Sequence, residues 1–254
     1  MKHQFGKTIV IKLGGSIMYP EEIDPVRDRP VKGVATVALA QSVSNGIDIR
    51  FLKSFRSLIL NQIRRRGRRF LIIVGGGKIC RVYQDAAGKI VRVTNEDKDW
   101  IGIHASRTNG HLLRTIFREE ANPVMIDARG KVKSLTHSVT IASGWRPGNS
   151  TDYVAMALAM DFRVPEAIVM GHPAHVYNKD PRKLANAQPF MEMTWKEYKK
   201  LVPAKWAPGA SAPVDPVAAR LAEKAKTQAI VIGPDLKNLQ HLLEGREAKG
   251  TIIR

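Results

Sequence analysis

Residues 7–16, KTIVIKLGGS, carry an apolar β-type run into Lys12, then through Leu13 into Gly14, Gly15 and Ser16. Where a strand runs out into glycine, the backbone can approach a bulky anion, and its N–H groups together with an ammonium can hold phosphate oxygens. The device returns about sixty residues later in FLIIVGGG, residues 70–77, which ends in Gly75, Gly76 and Gly77. Two such corners are expected to face each other across one cleft and to hold two phosphorylated ligands. Lys12, at the strand end, sets an ammonium where such phosphate oxygens would lie. The plainer alternative is a solvent-facing strand lysine. Thr151 and Asp152 open a helical pattern after the loop 144–150, where a carboxylate also complements the helix dipole.

These groups need a scaffold, and the hydrophobic pattern supplies one. Strand-like runs at 8–13, 70–74, 124–126, 138–142, 167–170 and 229–232 alternate with helical periodicity at 51–66, 78–87, 100–119, 151–160, 215–226 and 236–243. Alternation of this kind predicts an α/β fold, a three-layer αβα sandwich around a mainly parallel sheet. The segment 21–48, rich in charge, Pro and Gly at its ends, reads as an excursion after the first strand. Residues 202–216 hold four prolines and read as a flap over a ligand or a rigid connector.

The 254 residues, 44% hydrophobic, are enough for a well-buried core, taken as a single domain over 1–254. No run has the length of a membrane span, and the N-terminus lacks a signal-peptide core, so a cytoplasmic location is expected. The lone Cys80 excludes an internal disulfide and reads as a small packed side chain. His172 and His175 are separated by a proline and have no nearby cysteine or carboxylate pair, which disfavours a zinc site. The formal charge of +18 attracts nucleotides and nucleic acid alike. Its densest cluster, Arg64, Arg65, Arg66, Arg68 and Arg69, reads as a solvated helix end rather than an RNA patch, since no aromatic residue is interleaved for base stacking.

Known nucleotide motifs are missing. Gly6-Lys7-Thr8 imitates the end of a P-loop, but Met1 stands where the first glycine is required, and no GxGxxG, HRD or DFG signature occurs. Instead IKLGGS, IIVGGGKICR, GWRPGNSTD, VYNKDP and SAPVDPVAAR, in that order across nearly the whole chain, resemble the amino-acid kinase superfamily. Within it the chain is most similar to the archaeal-type uridylate kinases, which transfer phosphate from ATP to UMP; DWIGIHASRTNGHLL, residues 99–113, is especially like them.

The resemblance implies an ATP-dependent nucleoside monophosphate kinase with Mg²⁺ carried mainly on the nucleotide phosphates. Lys12 and Asp152 would be catalytic, the aspartate organising the lysine. ATP would be held by Lys12, Gly14, Gly15, Ser16, His172, Tyr177, Lys179, Asp180, Pro181 and Asp215, the last in a VDP turn that starts a late helix. UMP would be held by Gly75, Gly76, Gly77, Arg81, Asp99, Ser150 and Thr151, with Arg81 as a fork to its phosphate and Asp99 on its ribose hydroxyls. A surface arginine and a helix N-cap are the respective alternatives for Arg81 and Asp99. The acceptor part would span about 1–165 and the donor part about 166–254. Members of the family are commonly hexamers or dimers, which implies a homo-oligomer. Where such kinases read Asn/Lys-Val-Asp-Gly-Val-Tyr, this chain has His172-Pro173-Ala174-His175-Val176-Tyr177, a departure on the donor side. That departure and the charge leave a second reading open, a catalytically altered member that binds a nucleotide or oxyanion as a sensor, store or nucleic-acid-associated protein.

Overall fold

The first strand, β1 (Thr8–Leu13), is buried on both sides, as continuous apolar strands of parallel sheets are. The computed structural model describes residues 1–19, 43–44, 46–181, 184, 186–205 and 212–254. A 3₁₀ turn over Gly15–Met18 follows β1. A short hairpin, β2 (Val43–Ser44) with β3 (Ile47–Asp48), leads into helix α1 (Ile49–Arg66), capped by the Asp48 carboxylate and closed by Gly67 in the left-handed region. Then come β4 (Arg69–Val74), α2 (Gly77–Ile90), α3 (Asn95–Ile116), β5 (Val139–Ala142), α4 (Thr151–Asp161) and β6 (Glu166–Met170). The chain continues through β7 (Glu192–Met193), α5 (Trp195–Leu201), α6 (Pro216–Ala225), β8 (Gln228–Ile232), α7 (Leu236–Leu243) and β9 (Thr251–Ile253).

The main sheet has the order β5-β4-β1-β6-β8-β9-β7, parallel from β5 to β8, with β9 antiparallel to β8. Alternate side chains of β1 serve opposite layers. Ile9, Ile11 and Leu13 pack with apolar residues of α1, α3 and α7. Val10 packs in the other layer with α4, α5 and α6. The expected three-layer sandwich is therefore present. Lys12, two residues on from Val10, shares the α4 face. Because β1 lies between β4 and β6, its C-terminal end is the place where successive connections diverge to either side, which in open α/β sheets is where ligands bind.

Several sequence expectations need correction. Residues 124–126 are not a strand of the sheet; Ile126 makes only an isolated bridge to Ala142. Arg68 is not part of a solvated helix end. It is 8% exposed, and its guanidinium donates to Gln62 Oε1 and the Leu243 carbonyl, tying α1 to α7. The excursion 21–48 lies mostly outside the described residues, as do residues 206–211 of the Pro-rich segment. Among the described residues no helix is long and apolar enough to cross a membrane.

Candidate active site

Lys12 Nζ lies 2.8 Å from Asp152 Oδ1, both side chains nearly buried. The strand alternation aims the lysine at α4, and the first turn of α4 presents the aspartate. Ser150 is the N-cap of that helix: its Oγ accepts from the N–H groups of Asp152 and Tyr153, each at 3.0 Å. Its hydroxyl donates to Asp215 Oδ2. Asp215 is in turn the N-cap of α6, its Oδ1 accepting from Val217 N at 2.7 Å and Ala218 N at 3.0 Å. One serine thus joins two helix N-termini, whose dipoles favour anions. Burial raises the Asp215 carboxyl above its ordinary pKa, and the charge of Asp152 raises it further. The VDP turn is held by Tyr198, whose hydroxyl donates to the Val214 carbonyl and accepts from Val214 N.

The glycine corners do not stand across a cleft; they abut. A Cβ on Gly15 would lie 2.3 Å from Gly77 N and 2.4 Å from the Gly75 carbonyl oxygen. A Cβ on Gly77, which has φ +67°, would lie 2.5 Å from the Gly15 oxygen. Backbone meets backbone because neither side carries side chains. Gly14 N donates to the Met170 carbonyl and Gly75 N to the Leu13 carbonyl, so the corners are stitched to β6 and β1.

Asn109 of α3 completes the second corner. Its Nδ2 donates to the Gly75 carbonyl at 2.8 Å and the Gly76 carbonyl at 3.2 Å, and its Oδ1 accepts from the Tyr19 hydroxyl. In a trans peptide the N–H points opposite the C=O, so this clamp turns the N–H groups of Gly76 and Gly77 away from Asn109. Ser106, one helical turn earlier, accepts from Gly144 N and positions the loop before Ser150. The sequence marks Asn109 through the Arg-x-Asn, Arg107-Thr108-Asn109, that the resemblance to the uridylate kinases places on this helix, and gives Ser106 no role. A further local signal is the polar spacing Ser106-x-x-Asn109 on a helix face that is otherwise buried.

Three hollows line this region. The first, about 150 Å³, is bordered by Gly76, Cys80, Asp99, Asn149, Ser150 and Thr151. Asp99 is not a helix cap: Thr94 caps α3 with a reciprocal Thr94–Asp97 pair, and Asp99 sits inside the helix, accepting from Gly148 N at 2.8 Å. Burial raises its carboxyl. Burial also raises the Cys80 thiol, in keeping with a packed rather than nucleophilic cysteine. Arg81 is exposed on α2 and does not border this hollow. The second, about 80 Å³, is bordered by Lys12, Gly14, Ser16 and His172. The third, about 550 Å³, is bordered by Tyr177, Lys179, Asp180, Pro181 and Tyr198, and shares His172, Pro173, Ala212 and Pro213 with the second. The departing segment packs tightly: a Cβ on Gly233 would lie 2.9 Å from that of Ala174, and His175 stacks edge-on against Tyr177 with its pKa lowered by burial.

Sequence and structure comparisons agree with this architecture. The amino acid kinase family signature matches residues 7–233. The chain is 28% identical to the uridylate kinase of Thermococcus sibiricus over 250 residues, covering 96% of this chain and 98% of that one. It is 31% identical to the uridylate kinase of Pyrococcus abyssi over 186 residues, 72% of this chain and 82% of that one. Among solved structures, the uridylate kinase of Archaeoglobus fulgidus superposes with a TM-score of 0.70 at 23% identity over the full length of both chains. The UMP kinase of Bacillus anthracis gives 0.70 at 18% identity, covering 99% and 97%. The chain belongs to the amino acid kinase family.

Proposed function

We infer that this protein is a nucleoside monophosphate kinase that transfers the γ-phosphoryl group of ATP to UMP, giving ADP and UDP. The observation that carries the reading is the Lys12–Asp152 pair, set where the recess continuous with the large hollow approaches the smaller one bordered by Gly76 and Ser150. One domain serves both substrates, with residues of about 1–165 on the acceptor and of about 166–254 on the donor.

In this reading ATP lies along the large hollow, its base and ribose against Tyr177, Lys179, Asp180 and Pro181, and its phosphates pass His172 toward Gly14, Ser16 and Lys12. UMP occupies the smaller hollow, its ribose at Asp99 and its phosphate at the Gly75–Gly77 corner near Thr151. A phosphate oxygen of UMP attacks the γ-phosphorus; that P–O bond forms as the bond to the β,γ-bridging oxygen breaks, and the electron pair leaves with ADP. The acceptor is already an anion, so no base need remove a proton. Catalysis is positioning and charge neutralisation. Lys12 neutralises oxygens of the migrating group, and Asp152 holds the ammonium in place. Asp215 keeps Ser150, and through it the first turn of α4, in register.

The residues present fit Mg²⁺ bound through ATP phosphates: Asp152 and Asp215 are both under 10% exposed and close enough for one to raise the pKa of the other. A divalent ion arriving with ATP would supply neutralisation of the β- and γ-oxygens. The second reading, a binder without turnover, makes no use of a lysine held by a buried carboxylate. A coupled ADP-release assay with ATP, Mg²⁺ and single nucleoside monophosphates tests the assignment: turnover with UMP is expected, and turnover only with a different acceptor refutes UMP as substrate.

A further inference from the structure

Helix α1, IRFLKSFRSLILNQIRRR, carries six cations and no carboxylate, one third of the net charge of +18 on 18 residues. A helix built only to be stable would alternate Glu with Lys or Arg at i,i+4 and place acids in its first turn. This one has Arg50 in its first turn, with Lys53 and Arg56 following at i+3 spacing, so like charges adjoin. The arginines at its C-terminus suit the dipole; the others do not.

Packing lines up four of these cations, Lys53, Arg56, Arg64 and Arg65, with Lys237 of α7. One shallow depression between α1 and α7, about 480 Å³, is bordered by Lys53, Ser57, Asn61 and Lys237. A second, about 470 Å³, shares Ser57 and Asn61 and continues to Arg64 and Arg65. From residue 53 to residue 65 the row spans roughly 18 Å at 1.5 Å per residue. Lys53, Arg64, Arg65 and Lys237 are exposed and, among the described residues, none is paired with a carboxylate. Of the flanking acids among the described residues, Glu120 reaches Arg56, which also borders the second depression, at 4.0 Å, while Glu244 is engaged with Arg246 and Gln240 and Asp235 caps α7.

We propose that the α1–α7 track binds the phosphate backbone of a nucleic-acid duplex. Among the described residues no aromatic side chain borders either depression, so these residues offer no platform for stacking unpaired bases, and contact is with phosphates irrespective of sequence. Serine and asparagine between the cations supply neutral donors to the same oxygens. The track lies on the outer face of the α1, α3 and α7 layer and borders none of the three hollows of the active site.

Fluorescence anisotropy with a 20-bp RNA duplex, the DNA duplex of the same sequence and a 20-nucleotide single strand, at 50 to 200 mM salt, tests this. Neutralising four phosphates gives a log–log slope of about −3.6, a loss of roughly 150-fold across that range for both duplexes. The triple variant Lys53→Gln, Arg64→Gln, Arg65→Gln removes three of the four cations without a carboxylate partner and should flatten the slope to about −0.9, roughly a 3.5-fold loss, while its phosphotransfer rate stays that of the parent and reports intact folding. A matched variant on the other face, Lys196→Gln, Lys200→Gln, Lys224→Gln, should keep the steep slope. Absence of duplex binding at 50 mM salt, equal weakening by both triple variants, tighter binding of the single strand, or capture by anionic phosphatidylserine vesicles without duplex binding would each overturn the proposal. Since binding is read without turnover, the result is independent of the acceptor assignment.

Discussion

Lys12 and Asp152 meet at 2.8 Å, one from the end of the central strand and the other from the first turn of α4. Neither element positions the pair alone: the period-two pleat of β1 aims the ammonium, and the Ser150 cap fixes the carboxylate. Removing the cation should cost mainly kcat. Lys12→Met is expected to lower kcat by at least about 10²–10³-fold, with a smaller change in the KM for UMP. Steady-state kinetics at saturating UMP check this, and a kcat within a few-fold of the parent would remove Lys12 from the chemistry.

The contact of Gly15 with Gly75 and Gly77 leaves no room for a methyl group. Gly15→Ala puts carbon 2.3 Å from a backbone nitrogen, which no rotamer change relieves. The expected loss is more than the roughly 1–3 kcal/mol typical of an overpacked core, because backbone rather than side chain must shift. Thermal unfolding measures it. Gly148→Ala is the contrast: nothing lies within 4 Å of its added carbon, and the cost there is only that of a positive φ.

Asn109 is buried and touches neither proposed nucleotide, so its role is to position the corner. Asn109→Ala frees the Gly75 and Gly76 carbonyls and strands the Tyr19 hydroxyl, whose pKa burial already raises. The expected result is a KM for UMP raised about tenfold or more with the KM for ATP little changed, alongside a stability loss of roughly 1–3 kcal/mol. A purely structural role would move both KM values together. Asn109→Asp, which keeps only acceptors facing two carbonyls, should be worse than alanine.

Much of the fold could be read from local pattern because the central strands are mostly apolar and run out into glycine. Residues 8–13, 70–74 and 229–232 needed no partner to be recognised, and Asp215 before a proline announced its helix. Helix α5 has a capping box in Thr194 and Glu197, but with only seven residues beside a Pro-rich stretch it is too short for helical periodicity to stand out. Residues 124–126 look like a strand by composition, but lie where β5 already takes the sheet edge beside β4. Arg68 read as surface because its partners, Gln62 and the Leu243 carbonyl, are set by tertiary packing. What Asn109 holds is likewise set by tertiary packing, since its partners come from a corner and a turn far away in sequence. Asp152 was legible as a helix-start carboxylate; that it faces Lys12 depends on which face of β1 the helix covers.

Asp215 supplies a pH signature with a definite sign. Burial, reinforced by Asp152, raises its carboxyl pKa in the folded chain, so between the ordinary carboxylate value and the raised one the native state binds more protons than the unfolded state. Its contribution to stability is therefore fully present below the ordinary value and is lost as pH rises through the raised one. Asp215→Asn abolishes that titration while keeping an N-cap of similar strength for α6. Asparagine cannot accept the Ser150 hydroxyl in the same way when its amide faces that oxygen, which costs about 0.5–1.5 kcal/mol independent of pH. Subtracting the variant's unfolding free energy from that of the parent at each pH should thus give a difference that falls as pH increases through the window and is flat on either side. A difference that rises with pH would mean the folded chain holds Asp215 ionised more firmly than water does, and the crowding of the two carboxylates would not be what sets its charge.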